Sequence, residues 1–120
     1  MVFNLNSVIF HTERLKDLRP FYEDVLGFEI GTYLKEGRSL PDFSETYVNY
    51  KAGSSLLCFE FEKDRKDLGT LVLHIQNLSK MKAKLLSKGV TVLKDGKNWF
   101  KISDPEGREI IFEELNLKDS

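Results

Sequence analysis

Among its 120 residues the chain has a single cysteine, a single tryptophan, two histidines and three prolines. One cysteine, Cys58, excludes an internal disulfide and any zinc cluster built from several thiolates of one chain, and it agrees with a reducing compartment. No apolar run approaches the roughly 20 residues of a membrane-spanning helix. The N-terminal stretch lacks a basic segment followed by an apolar core, so a cytoplasmic protein with no membrane partner is expected. An excess of one charge sign is also missing. Eighteen Lys and Arg against 19 Asp and Glu leave a net charge of −1, which gives no long-range field for gathering nucleic acid. Lys80, Lys82, Lys84 and Lys88 read as the solvated side of a helix, and the charged run from Glu62 to Asp67 as a solvated connector.

What the chain does have is enough apolar material, 41% with 12% aromatic, for an ordinary core without a metal or disulfide staple. It also has an internal repeat. Ile9-Phe10-His11-Thr12-Glu13-Arg14-Leu15 and Val72-Leu73-His74-Ile75-Gln76-Asn77-Leu78 both run from an apolar strand into an amphipathic helix, and they lie about half a chain apart. The first helix carries Leu15, Leu18, Phe21, Tyr22 and Leu26 on one face, with Thr12 as its expected N-cap and Gly27 as its end. Pro20 should bend it or confine regular helix to one side. The second helix carries Leu78, Met81 and Leu85 between an Asn77 cap and Gly89.

Strands are expected over residues 6–11, 28–34, 46–50 and 55–61, then 70–75, 90–94, 99–103 and 108–113, with a tight turn at Asp104-Pro105-Glu106-Gly107. Residues 35–44, with Gly37, Arg38, Ser39, Pro41 and Phe43, read as a mobile loop and candidate lid. The expected fold class is α+β, with two tandem βαβββ modules (about 1–62 and 68–115) in one domain of residues 1–120. Their curved mixed sheets would enclose a cleft, with the helices outside.

Strand alternation sorts the side chains into two sets. Val8, Phe10, Leu57, Phe59 and Phe61 suit packing under the first helix; Leu71, Leu73, Ile75, Phe100, Ile102, Ile110 and Phe112 suit the second. The opposite faces are mixed and polar: Ser7, Ile9, His11; Leu56, Cys58, Glu60; Thr70, Val72, His74; Trp99, Lys101, Ser103; Glu109, Ile111, Glu113. From these come the candidate ligand-contact residues His11, Glu60, His74, Trp99, Lys101 and Glu113. The histidines are candidate proton-moving groups. Trp99 either stacks on a flat ligand beside a Lys101 that holds an anionic group, or covers the end of the sheet. Cys58 reads as a small buried residue, since no cationic partner marks it as a nucleophile.

Phe21-Tyr22-Glu23-Asp24-Val25-Leu26-Gly27-Phe28 and Ser103-Asp104-Pro105-Glu106-Gly107-Arg108-Glu109-Ile110 resemble the helix-to-strand and final-turn signatures of the vicinal oxygen chelate superfamily, the glyoxalase, bleomycin-resistance and extradiol dioxygenase fold. The resemblance spans essentially the whole chain and implies a homodimer. It also implies up to four metal ligands, at the first and last strands of each module. Carried over, these positions fall on Ser7, Cys58, Thr70 and Ile111, where histidine, glutamine or glutamate would be usual. That set is unfit for a hard divalent metal. The resulting expectation is a protein with no cofactor and no metal that binds a small organic molecule, as a drug- or toxin-sequestering protein does, and leans away from enzymic activity. The alternatives are a metal-dependent lyase, thiol transferase or dioxygenase using non-standard ligands, and an interaction module.

Overall fold

The computed structural model describes residues 1–115. The chain divides into two compact units that meet in sequence between Asp67 and Leu68. The first contains β1 (Ser7–Thr12), helix α1 (Leu15–Pro20) with a π turn following (Phe21–Val25), β2 (Thr32–Lys35), β3 (Arg38–Pro41), β4 (Tyr47–Ala52) and β5 (Ser55–Phe61). Its main sheet has the order β1-β5-β4, with β1 parallel and β4 antiparallel to β5. Leu15, Leu18, Tyr22 and Leu26 are buried from the helix side against Val48, Tyr50, Leu57 and Phe59 from the sheet side. Tyr22 is the hub, with its ring centroid 4.7 Å from that of Phe59 and 5.9 Å from those of Tyr50 and Phe28. Val8 and Phe61, expected in this core, are 38% and 45% exposed at the margins of the sheet.

Pro20 explains why the helix changes character. Proline has no N–H for the Lys16 carbonyl, so regular α structure ends there. The chain continues in a wider turn, with the Leu26 N–H bonded five residues back to the Phe21 carbonyl at 2.9 Å. Gly27, at φ 87°, ends it.

Two expectations need correcting in this unit. Residues 35–41 are not a loop: β2 and β3 form a hairpin in the register Lys35↔Arg38, and the strand expected from residue 28 starts only at Thr32, preceded by isolated pairing with β4. Its two-residue turn is Glu36 (φ 53°) and Gly37 (φ 76°), both left-handed as a type I′ turn requires. A Gly31 N–H bond to the Asn49 carbonyl (2.7 Å) and the Ile30–Tyr50 bridge join the hairpin to β4. Thr12, in turn, is the last residue of β1 rather than the N-cap. The cap position is Arg14, and the buried Thr12 hydroxyl accepts the Arg14 N–H at 2.9 Å just ahead of the helix.

The second unit runs β6 (Thr70–Ile75), α2 (Leu78–Ser87), β7 (Lys94–Asp95), β8 (Trp99–Ser103) and β9 (Glu109–Glu114), in the sheet order β6-β9-β8-β7. Leu85 of α2 packs with Phe100, Ile102, Ile110 and Phe112, all buried. Asn77, at φ 59°, accepts the Lys80 N–H at 3.2 Å and caps the helix as its sequence position suggests. Two further amides at this end, those of Asn77 and Leu78, are taken by the Glu114 carboxylate at 3.1 and 2.6 Å. The strand expected over 90–94 shrinks to Lys94–Asp95 because the Val90 N–H bonds the Leu85 carbonyl and so belongs to the end of α2. After its helix the second unit has three strands, the βαβββ order, while the first has four because the hairpin contributes both β2 and β3; the class is α+β. Among the described residues no helix is long and apolar enough to cross a membrane.

Candidate functional site

The parallel pairing of first and last strand has the same register in both units, so one face of each sheet forms a small grid. In the first unit the rows across β4, β5 and β1 are Tyr47-Glu60-His11, Asn49-Cys58-Ile9 and Lys51-Leu56-Ser7. In the second, across β8, β9 and β6, they are Trp99-Glu113-His74, Lys101-Ile111-Val72 and Ser103-Glu109-Thr70. An aromatic-glutamate-histidine row therefore occurs in each. Four of the six predicted contact residues, His74, Trp99, Lys101 and Glu113, share the face of the second unit; His11 and Glu60 are neighbours on the face of the first.

The two histidines differ in their surroundings. Asp67 accepts both the His11 backbone N–H (2.8 Å) and its Nδ1 (2.9 Å), and Glu62 lies 3.6 Å from Nε2. His11 therefore anchors the 62–67 connector. These bonds, the backbone one first, hold the Asp67 carboxyl down at about 2. Asp67 was not singled out in sequence because it lies 56 residues from its partner. His74 instead meets its row neighbour, with Nε2 2.8 Å from Glu113 Oε1, and both side chains stay largely in contact with solvent.

Lys101 and Trp99 are also committed. Lys101 Nζ lies 3.2 Å from Glu109 Oε1, and the other Glu109 oxygen accepts the Thr70 hydroxyl at 3.2 Å. The indole of Trp99 lies over Gly96 in the β7–β8 turn, where a Cβ would come within 2.1 Å of its Nε1. Trp99 thus covers the hairpin end while remaining partly exposed. Between these groups lie Ile111 and Val72, the latter 53% exposed, an apolar floor framed by polar side chains.

Polar groups that sequence reasoning missed are structural. Arg108 is fully buried, paired with Asp104 and Glu106, while Asp104 Oδ1 also accepts the amides of Glu106 and Arg108 at 2.9 and 3.0 Å. Arg19 and Tyr50 converge on Glu23 at 2.7 and 2.8 Å, and the Arg19 guanidinium sits 4.4 Å above the Phe43 ring. Burial pulls the Glu23 carboxyl upward, but hydrogen bonds from Arg19 and Tyr50 outweigh it and leave it below its usual value. Asp42 receives Tyr47 and Asn49. Spacing points only to Arg19–Glu23, four apart along the helical stretch; the other contacts join residues of separate elements or bury a charge inside a turn.

The four positions that the resemblance gives to metal ligands do not fit a metal. Ser7 and Thr70 are hydroxyls and Ile111 has no donor atom. Cys58 is buried, and desolvation, with Asp42 and Glu60 nearby, pushes its thiol up, away from the thiolate that a metal needs. Among the described residues no group of three or more His, Cys, Asp or Glu side chains is arranged to hold a metal ion. Two concavities lie away from the predicted contacts. One of about 320 Å³ is bordered by Lys16, Arg19, Pro20, Glu23 and Asp24. One of about 440 Å³ lies between the end of β6 and α2, at Ile75, Gln76, Asn77, Lys80, Met81 and Lys84.

No protein-family model matches the sequence, and no curated protein matches it. Solved structures do. A Bacillus anthracis protein assigned to the glyoxalase family is similar at a TM-score of 0.75 and 19% identity, over 97% of this chain and 98% of that one. An antibiotic-binding protein from a Streptomyces species is similar at 0.71 and 16%, over 96% and 98%. Lactoylglutathione lyase from Agrobacterium tumefaciens is similar at 0.69 and 15%, over 92% of each chain. The fold is accordingly that of the glyoxalase and bleomycin-resistance proteins, the vicinal oxygen chelate fold, which carries both binding proteins and enzymes.

Proposed function

From a vicinal oxygen chelate fold in which four non-ligands occupy the customary metal positions, we propose that this chain binds a small organic molecule without a metal. The site is the grid face of the second unit, with Trp99, Lys101, His74 and Glu113 as contacts and Ile111 and Val72 as floor. The observation that carries the reading is Ile111. Where a chelating enzyme of this fold would need a carboxylate, the face has a branched hydrocarbon at its centre, suited to contact and unsuited to Lewis-acid chemistry. His11 and Glu60 occupy the matching row of the first unit, with His11 already tied to Asp67. That an antibiotic-binding protein has this fold supports the same reading.

Trp99 is the chain's one tryptophan, so its emission reports directly on the face. A screen of drug-like aromatic and polar compounds should find some that change Trp99 fluorescence saturably and raise the melting temperature, with no change after treatment with a chelator. Binding that requires added nickel, zinc, manganese or iron, or tight metal retained through purification, would refute the proposal. Pairing of two copies and a cytoplasmic setting belong to the same reading. Light scattering on the purified protein tests the first.

A further inference from the structure

The grid also limits which molecule can be held. Glu113 is a carboxylate and can only accept, so the Nε2 facing it at 2.8 Å carries the proton in the neutral imidazole. Nδ1 is then a lone-pair acceptor, and among the described residues nothing donates to it. Lys101, the one lysine or arginine of the nine-residue grid, is matched by Glu109, so beside a neutral His74 the Glu113 carboxylate leaves the face with one net negative charge. Neither Glu109 oxygen is left without a partner, since Lys101 and Thr70 occupy them. The face thus offers an uncompensated acceptor and repels anions.

Its dimensions follow from strand geometry. Trp99 and His74 are two strand spacings apart, roughly 10 Å, and the rows on either side of Ile111 lie about 13 Å apart along the strands. That frame holds about two fused six-membered rings lying on Ile111 and Val72.

We propose that the face selects a flat, uncharged or cationic molecule about two fused rings wide whose hydroxyl donates to Nδ1 of His74. The selection rests on the binding reading given above, and it adds the ligand class. A donor such as a hydroxyl is required because a covered acceptor would otherwise be desolvated without a partner, the situation in which analogues lacking the group are rejected most strongly. Carboxylated analogues meet the net negative charge and a Lys101 that is already paired.

Three probes of one skeleton test the class: 2-naphthol, 2-methoxynaphthalene and 2-naphthoate. Each is titrated into ¹⁵N-labelled protein while the single indole N–H signal of Trp99 is followed. The naphthol should shift the signal saturably, the ether should bind at least tenfold more weakly, and the naphthoate should not bind. His74→Ala, a substitution at an exposed side chain, should bring the naphthol down to the affinity of the ether while leaving the rest of the spectrum in place. Equal affinities for naphthol and ether, preference for naphthoate, or naphthol binding unaffected by His74→Ala would each overturn the proposal. If none of the three moves the indole signal while other compounds of the wider screen do, the hydroxyl-donor class fails and the binding reading stands. If nothing in either set moves it, both fail.

Discussion

Gly96→Ala is a sharp probe of the candidate face. An ideal Cβ at this position would sit 2.1 Å from Trp99 Nε1, 2.6 Å from Cε2 and 2.9 Å from Cδ1. Carbon–heavy-atom contacts settle near 3.5 Å, so the indole must retreat by at least about 1.4 Å. Gly96 is not among the glycines with positive φ, which leaves the methyl group itself as the perturbation. Overfilling a packed contact costs about 1–3 kcal/mol, and here the cost falls on one identifiable ring. Denaturant unfolding should show a loss in that range, and Trp99 emission should move to the red as the indole gives up its cover on the turn. Gly37→Ala is the matching control. Nothing lies within 4 Å of its added Cβ, but its φ of 76° costs about 1–2 kcal/mol in a non-glycine residue, with no change in emission. A Gly96→Ala protein with unaltered emission and stability within about 0.5 kcal/mol of the parent would refute the packing of Trp99 on this turn.

Other substitutions probe the buried charges and the pH response. Arg108→Ala removes the cation that neutralises the buried Asp104 and Glu106 and should cost about 3–5 kcal/mol in urea unfolding, with Arg108→Lys in between; a loss below about 1 kcal/mol would contradict the burial of the pair. Asp67, held at about 2 by His11, stabilises the fold above the ordinary aspartate range, and that contribution fades as pH falls from about 4 through about 2. Asp67→Asn should therefore flatten the acid limb of the stability curve, and an unchanged limb counts against the clasp. Tyr50→Phe removes a buried donor to Glu23 and should cost about 1–3 kcal/mol. The Glu23 titration midpoint, followed by carboxyl NMR, should rise toward the ordinary value; no movement would mean that the hydroxyl does not hold the carboxylate.

What could be read from the residues was whatever local pattern controls. β5 and β8 fall at Ser55–Phe61 and Trp99–Ser103 as alternation indicates, Asn77 caps α2, and Tyr22 sits in the core as its helical spacing suggests. The hairpin at Glu36-Gly37 was hidden because glutamate seldom adopts the left-handed conformation that its turn demands, so the glycine looked like a loop residue. The π turn followed from Pro20 only as a bend, since proline removes one hydrogen bond without dictating how the chain resumes. At the candidate face, parity placed His74, Trp99, Lys101 and Glu113 on one side, which needs only the period of two. That Lys101 is matched by Glu109 and His11 by Asp67 depends on side-chain reach across strands and connectors, which sequence spacing does not carry.

Glu114 links the end of the second unit to its beginning. A ten-residue helix is too short to persist by itself in water, and two of the amides at its start are held by a side chain 36 and 37 positions downstream. While the polypeptide is being made, the Glu114 clasp on α2 and the pairing of β6 with its parallel neighbour β9 can form only after residue 114 has left the ribosome. The second half is therefore closed by its last strand. A ribosome paused before that codon would carry a second half without this clasp.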